Sequence, residues 1–328
     1  MKEEDIRPAD LFEQYLRLSA EDARTCFDGV RREDVSCPGC ASQERTHQFD
    51  KHGFDYATCD QCGTLYQTPR PSIRAFERFY NDSISSRYWA EKFFPVVAET
   101  RREHIFLPRV ERLIELCNEK GVQSSTVMDV GAGYGIFLEE WKKRYPQART
   151  IAIEPSSHLA KICRNKGLEV VDSIAEKVEG YEKIADMVLC FEVLEHVFDP
   201  FLFVKVLSGF VKPGGYLMVS TLGVDGFDIQ VLWDKSKSIS PPHHINFLSR
   251  DGFYKLFERA GLVDIDLITP GVLDVDIVRN AFKKDPSTLE GNRFVRKLLE
   301  DDRLSESFQN FLVSEKLSSH VWVFSRKE

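Results

Sequence analysis

The sequence predicts an open, doubly wound α/β sheet, and three observations carry that reading. From about residue 126 onward, short apolar runs alternate with helical patterns, the rhythm of strands joined by crossover helices. One run, Val127-Met128-Asp129-Val130, leads into a glycine-rich turn, Gly131-Ala132-Gly133-Tyr134-Gly135. The next run ends on an acid, Glu154, nineteen residues after Gly135, a separation that suits a βαβ unit built around a nucleoside.

Taken in order, residues 1–34 read as an N-terminal helical segment, with Leu11, Phe12, Tyr15 and Leu16 at helical spacing. Residues 35–70 lose that periodicity and gather Cys, Gly, Thr and Pro. Pro69 and Pro71 then punctuate the chain before a helical lid or linker over 71–120. The α/β domain occupies 121–328. Its strands are expected at 126–130, 149–153, 168–171, 185–190, 215–221, 262–268 and 320–325, with helices near 135–144, 157–166, 200–211 and 249–260. A charged helical insertion, 272–316, separates the last two strands. There is no internal repeat.

The 328 residues are 42% hydrophobic and 29% charged, enough apolar material for a sizeable core. The net charge of −8 and the lack of a long basic stripe speak against a phosphate-gripping nucleic-acid binder. The acidic start, Met1-Lys2-Glu3-Glu4-Asp5, leads into no apolar run, so no secretory signal is expected. No stretch approaches the ~20 apolar residues of a membrane span. The expectation is a cytoplasmic protein, in which eight cysteines serve as thiols or metal ligands rather than disulfides.

Four of those cysteines, Cys37, Cys40, Cys59 and Cys62, form two C-x2-C knuckles eighteen residues apart. Two such knuckles present four soft thiolates tetrahedrally, the arrangement structural Zn²⁺ takes, with no open position for catalysis. His47 and His52, between the knuckles, are read as loop residues.

The glycine turn lets backbone amides approach a ligand closely, and Glu154 can accept ribose hydroxyls. The spacing is G-x-G-x-G; a dinucleotide fingerprint would need glycine where Ile136 stands.

On these residues the sequence resembles the class I S-adenosylmethionine-dependent methyltransferases. Residues 126–135 look like their first motif and Ile151-Ala152-Ile153-Glu154-Pro155 like their second. Ala185 through His196 resembles the fourth, and Lys212-Pro213-Gly214-Gly215 the turn before the fifth strand. The resemblance implies a seven-stranded Rossmann-like sheet whose last strand is antiparallel and inserted between the fifth and sixth. It places Asp129, Gly131, Gly133 and Gly135 at the methionine end of the cofactor, with Glu154 and Pro155 at the ribose. Asp172 and Ser173 fall near the adenine, and Phe191 and Glu192 at the end of the fourth strand.

Methyl transfer to a hydroxyl or weakly acidic carbon needs a base. The loop Ser240-Pro241-Pro242-His243-His244-Ile245-Asn246-Phe247 follows the fifth strand, and it is similar to a loop in sugar-modifying methyltransferases. His244 is the first candidate for the base and His243 the second; the bland alternative is a histidine capping the helix that starts near Ser249. Glu192, Glu195 and His196 resemble a set that can bind Mg²⁺ in ubiquinone-type O-methyltransferases, although simple packing is the favoured role here. Tyr80, Tyr88, Trp89 and Arg101 suit either a lid over the pocket or a surface where the cysteine module docks. Cys190 is read as a buried thiol.

The function expected is methyl transfer to a small molecule: a sugar, a nucleotide-sugar or a related intermediate, at O or C. Where sugar C-methyltransferases continue into another α/β domain, only some 50 helical residues and a final strand are expected here, which leaves O-methylation at least as well supported as C-methylation. Two alternatives stay open: an RNA methyltransferase gripping nucleic acid through the cysteine module, and a catalytically silent cofactor-binding module.

Overall fold

The computed structural model describes residues 1–122 and 124–328. A short helix, Glu3–Ile6, and a longer one, Ala9–Phe27, precede three strands, β1 (Arg45–Lys51), β2 (Phe54–Cys59) and β3 (Leu65–Gln67). Helix Ile73–Asp82 follows. A run of helical turns then extends from Ile84 to Lys120, widened at Trp89–Phe93 and Arg102–Phe106, and Gly121 ends it with a left-handed φ of 65°.

Next come β4 (Thr126–Val130), β5 (Arg149–Ile153), β6 (Glu169–Val171), β7 (Ala185–Phe191) and β8 (Val211–Leu222). The two-residue β9 (Asn246–Phe247), β10 (Leu262–Ile268) and β11 (His320–Lys327) follow, and Arg32–Glu33 pairs with Arg70–Pro71 as a separate two-stranded ribbon. Helices Ile136–Arg144, Ser157–Asn165, Pro200–Phe210 and Arg250–Arg259 fall where the apolar spacing places them. The 272–316 insertion is helical, at Asp274–Lys284, Arg293–Leu299 and Asp302–Ser314.

Seven strands form one sheet in the order β10-β11-β8-β7-β4-β5-β6. β4 through β8 pair in parallel, whereas β11 runs antiparallel to both neighbours, with Met218 opposite Phe324 and Leu267 opposite Val323. This is the topology the motifs imply.

The central strands are largely apolar because both faces are covered. Met128, Val188, Cys190, Leu217 and Val323 face the helices at 200–210 and 250–259. Their neighbours Val127, Met187, Leu189, Met218 and Trp322 face the helices at 107–120 and 136–144. Each buried side chain of this size contributes about 1.5–3 kcal/mol.

The expected segments 1–34, 35–70 and 71–120 differ in secondary structure but share their packing. β9, which belongs to the loop after β8, is the fourth strand of the small sheet β9-β3-β2-β1, with Asn246 opposite Tyr66. Phe27, Phe54, Phe76, Phe79, Ile245 and Phe247 form one core between them. A three-stranded ribbon this short cannot bury its own faces, so it borrows a strand and a layer of helix. Among the described residues, no helix is long and apolar enough to cross a membrane.

The insertion docks where Gly226 opens helix Phe227–Leu232. A Cβ on Gly226 would lie 2.1 Å from Cα of Ser319, and Phe227 N donates to Leu317 O across the same contact. Gly226→Ala must push the start of β11 away, and we expect it to cost about 1–3 kcal/mol, read as a lower thermal unfolding temperature; an unchanged temperature would mean the contact is loose.

Candidate functional site

The carboxyl ends of β4, β5, β6 and β7 lie side by side, and the glycine turn crosses them. Gly131, Gly133 and Gly135 all have left-handed φ, 77°, 55° and 66°, which only glycine adopts freely. Two of them are also steric necessities: a Cβ on Gly131 would meet Val193 at 2.7 Å, and one on Gly135 would meet Cys163 and Leu168 at 2.9 Å. Gly133 instead borders open space.

Glu154 clamps this turn, accepting the Gly133 amide at 2.7 Å and the Ser156 amide at 2.9 Å. It is buried, and desolvation raises its pKa against the pull of those two amides. Asp129 is buried with Oδ1 unpartnered, and desolvation raises its pKa to about 7 despite the Arg109 charge. A buried polar atom without a partner awaits one.

Pro155 is exposed beside Glu154. Asp172, after β6, accepts from Ser157 Oγ at 3.3 Å, and Ser173 Oγ donates to the Ile174 carbonyl. Phe191 lies under the Arg109 guanidinium, 4.7 Å from its ring centre. The cofactor-site residues read from the sequence therefore gather along four adjacent strand ends. The cradle has the shape and donor set a nucleoside with a charged amino-acid end would need: backbone amides, a ribose-side carboxylate and an unpaired buried acid.

Sequence reading named Arg101 as a lid candidate but missed the aromatic pair beneath it. Phe94 stacks on Tyr134 of the glycine turn at 4.4 Å, and Arg101 lies over Phe94 and Trp89 at 5.6 and 5.8 Å. Arg101 Nε is buried and unpartnered, and burial lowers its pKa to about 9, with Arg7 and Arg109 adding repulsion. Of the four residues weighed as lid or docking surface, Arg101 lies over Phe94 and hence over the turn, whereas Trp89 stacks on Phe93 and packs against Tyr15 of the N-terminal helix. Tyr88 packs with the N-terminal helix, and Tyr80 Oη donates to the His196 carbonyl.

Glu192 stands apart from the other two residues of the set considered for Mg²⁺. Its own φ is 55°, an uncommon turn for a non-glycine residue, and it aims the carboxylate at Ser220 Oγ (2.6 Å), His320 Nε2 (2.8 Å) and Arg109 (3.1 Å). Burial works against its charge, but the neighbouring His320 and Arg109 hold its pKa far down. Arg109 and His320 are far away in sequence, and no motif signals them.

The three residues that do converge are Glu195, His196 and His244, with ligand-capable atoms within 4.8 Å of one another. His244 Nδ1 sits 2.6 Å from the Ser238 carbonyl and His196 Nδ1 3.0 Å from that of His243. Only a protonated Nδ1 can make those bonds, so both lone pairs are on Nε2. Two imidazoles and one carboxyl are poorer in oxygen than the ligand sets Mg²⁺ takes.

His243 points the other way. It is buried between Tyr15 and Phe79, and its Nε2 lies 2.8 Å from Ser85 Oγ, whose proton goes to Asp22. Nε2–H therefore donates to the serine, and the ring supports the loop. Neither histidine caps the next helix; Ser249 does so itself, accepting from Gly252 N at 3.0 Å. Cys190 is fully buried, and desolvation raises its pKa.

At the cysteine cluster, Sγ–Sγ separations are 3.5 Å for Cys37–Cys62 and 3.4 Å for Cys40–Cys59, and all four thiols lie within 4.8 Å of one another. A tetrahedral zinc–thiolate site, with bonds of ~2.3 Å, has edges of ~3.8 Å, so the cluster is sized for the metal.

Residues 98–267, just over half of the chain, match the family described as "Methyltransferase domain", and the chain belongs to that family. It is 32% identical over 171 residues to the ubiquinone biosynthesis O-methyltransferase of Bordetella avium (strain 197N), covering 48% of this chain and 66% of that one. It is 36% identical over 103 residues to the enzyme of the same name from Xanthomonas oryzae pv. oryzae (strain PXO99A), covering 29% and 42%. The chain thus spans from two fifths to about two thirds of the length of these relatives. It shares its fold with the plantazolicin methyltransferase BamL, solved with a triazolic desmethylPZN analog and SAH (TM-score 0.50, 13% identity, 77% of this chain and 94% of that one).

Two outcomes follow from the site's chemistry. Burial lowers the pKa of His196, of His243 to about 3 and of His244 to about 4, whereas in the unfolded chain such rings protonate below about pH 6.5. The unfolded state therefore binds more protons between those limits, and stability falls as pH drops from 6.5 toward 4. Thermal unfolding across that range should show the loss, and His243→Gln should flatten it; a slope unchanged by the variant would point to other groups. Purified protein should carry about one zinc per chain, and Cys59→Ser should lose both the metal and several degrees of unfolding temperature; a metal-free protein of full stability would contradict the zinc assignment.

Proposed function

We propose that the chain is an S-adenosylmethionine-dependent methyltransferase acting on a small molecule. The observation that carries this is the cradle at the strand ends: three left-handed glycines, the Glu154 clamp and the unpartnered Asp129 carboxyl. The cofactor supplies an electrophilic methyl group on a sulfonium. Glu154 has a second lone pair on each oxygen for the ribose hydroxyls with Pro155 beside it, Asp129 and the glycine amides would meet the methionine end, and Asp172 and Ser173 would flank the adenine. Phe94, stacked on Tyr134, would exclude water from above.

Oxygen is the acceptor atom best supported, because the relatives at about a third identity are named O-methyltransferases. The loop carrying His243 and His244 supports a sugar, a nucleotide-sugar or a related intermediate. His244 is the general base in this reading: its Nδ1–H is held by Ser238, Nε2 is free to take a hydroxyl proton, and burial keeps the ring neutral. Holding the hydroxyl in line with the methyl group does the rest.

Transfer of labelled methyl from S-adenosylmethionine to a panel of nucleotide-sugars and catechols tests the reading. His244→Ala should lower kcat about 100-fold or more with KM for S-adenosylmethionine unchanged. Transfer unaffected by the variant would remove His244 from the chemistry, and cofactor binding without transfer to any acceptor would favour a silent module.

A further inference from the structure

On the far side of the His244 loop lies a cavity of about 180 Å³, walled by Ser19 of the N-terminal helix, by Lys51 and His52 at the tip of the β1–β2 hairpin, and by Lys237, Ser240 and Pro241. Its charge is unbalanced. Lys51 Nζ gives two of its three protons to the carbonyls of Asp234 (2.7 Å) and Ser236 (2.8 Å), and it makes no ion pair among the described residues. Lys237 is paired with Glu13 at 2.6 Å, but Glu13 is shared with Lys284 at 2.9 Å. One carboxylate thus answers two ammonium groups, and the third ammonium has only carbonyl dipoles and the more distant Asp234 charge. Burial lowers the Lys51 pKa to about 8, the mark of a cation short of a counter-charge.

We propose that this cavity is an anion subsite for a phosphoryl group, the diphosphate of a nucleoside-diphosphate acceptor. Two ammonium groups and the Ser240 hydroxyl supply donors to phosphoryl oxygens, while the Ser19 hydroxyl is turned to the Pro241 carbonyl. The volume has room for several water molecules, hence for a phosphate or diphosphate. The wall it shares with the base is short: Ser238, whose carbonyl holds His244 Nδ1, is two residues from Ser240. An acceptor anchored here by its diphosphate would present its other end toward the loop that carries His244. This rests on the methyltransferase reading and specifies its acceptor.

Calorimetric titration with inorganic pyrophosphate, with SAH titrated in parallel, tests it. Wild-type protein should bind pyrophosphate, and Lys51→Met and Lys237→Met should each weaken that binding at least tenfold while leaving SAH affinity unchanged. UDP-glucose that competes with pyrophosphate would support the subsite as the handle of the acceptor; competition by inorganic phosphate but not by UDP-glucose would overturn the acceptor assignment. No pyrophosphate binding, or binding indifferent to both substitutions in protein that still binds SAH, would overturn the subsite itself. Loss of SAH binding in wild-type protein would instead strike the methyltransferase reading. Should Lys51→Met fail to fold, Lys237→Met decides alone.

Discussion

The Glu154 carboxylate holds the molecule's functional end together. By accepting the Gly133 and Ser156 amides at once, it ties the glycine turn after β4 to the end of β5. The turn can lie there only because glycine tolerates a left-handed φ three times in five residues. A side chain at Gly131 or Gly135 would strike Val193, Cys163 or Leu168, so the clamp, the turn and the packing beneath it are one constraint. The parallel order of β4, β5, β6 and β7 then delivers Asp129, Asp172 and Glu192 to the same rim.

What distinguishes this chain is how much of it is folded over that rim. The N-terminal helix, the cysteine-bearing sheet and the helical run up to Lys120 do not stand apart. β9 is donated to the small sheet, Arg70 reaches the Phe198 carbonyl and Asn246, and Tyr56 Oη donates to the His244 carbonyl. The His244 loop is thus held from two directions: by the cysteine-bearing sheet, whose Lys51 also reaches the carbonyls of Asp234 and Ser236, and by the Asp22–Ser85–His243 chain. A four-cysteine cluster more than a hundred residues earlier in sequence sits in the sheet that supports the loop nominated for catalysis.

The fold was almost wholly legible in the sequence, because strands buried on both faces read as largely apolar runs and the intervening helices keep a 3.6-residue period. The glycine turn and Glu154 were legible too, since their spacing is local to one βαβ unit. The long-range partners were not. Arg109, His320 and Ser220 surround Glu192 through contacts spanning up to 211 residues, and no local pattern records such a meeting. The adjacent pair His243 and His244 was ranked in the sequence only by the loop's resemblance, with His244 first. Which ring faces the packed interior depends on Tyr15, Phe79 and Ser85, which come from the N-terminal layers.

The central claim is that the glycine turn and Glu154 form a cofactor site, and titration of SAH into the wild-type protein and Glu154→Ala tests it most directly. The structure predicts micromolar binding at one site per chain in the wild type, weakened at least tenfold in the variant while the protein remains folded. Absence of binding to folded wild-type protein, or equal affinity in the variant, would contradict it.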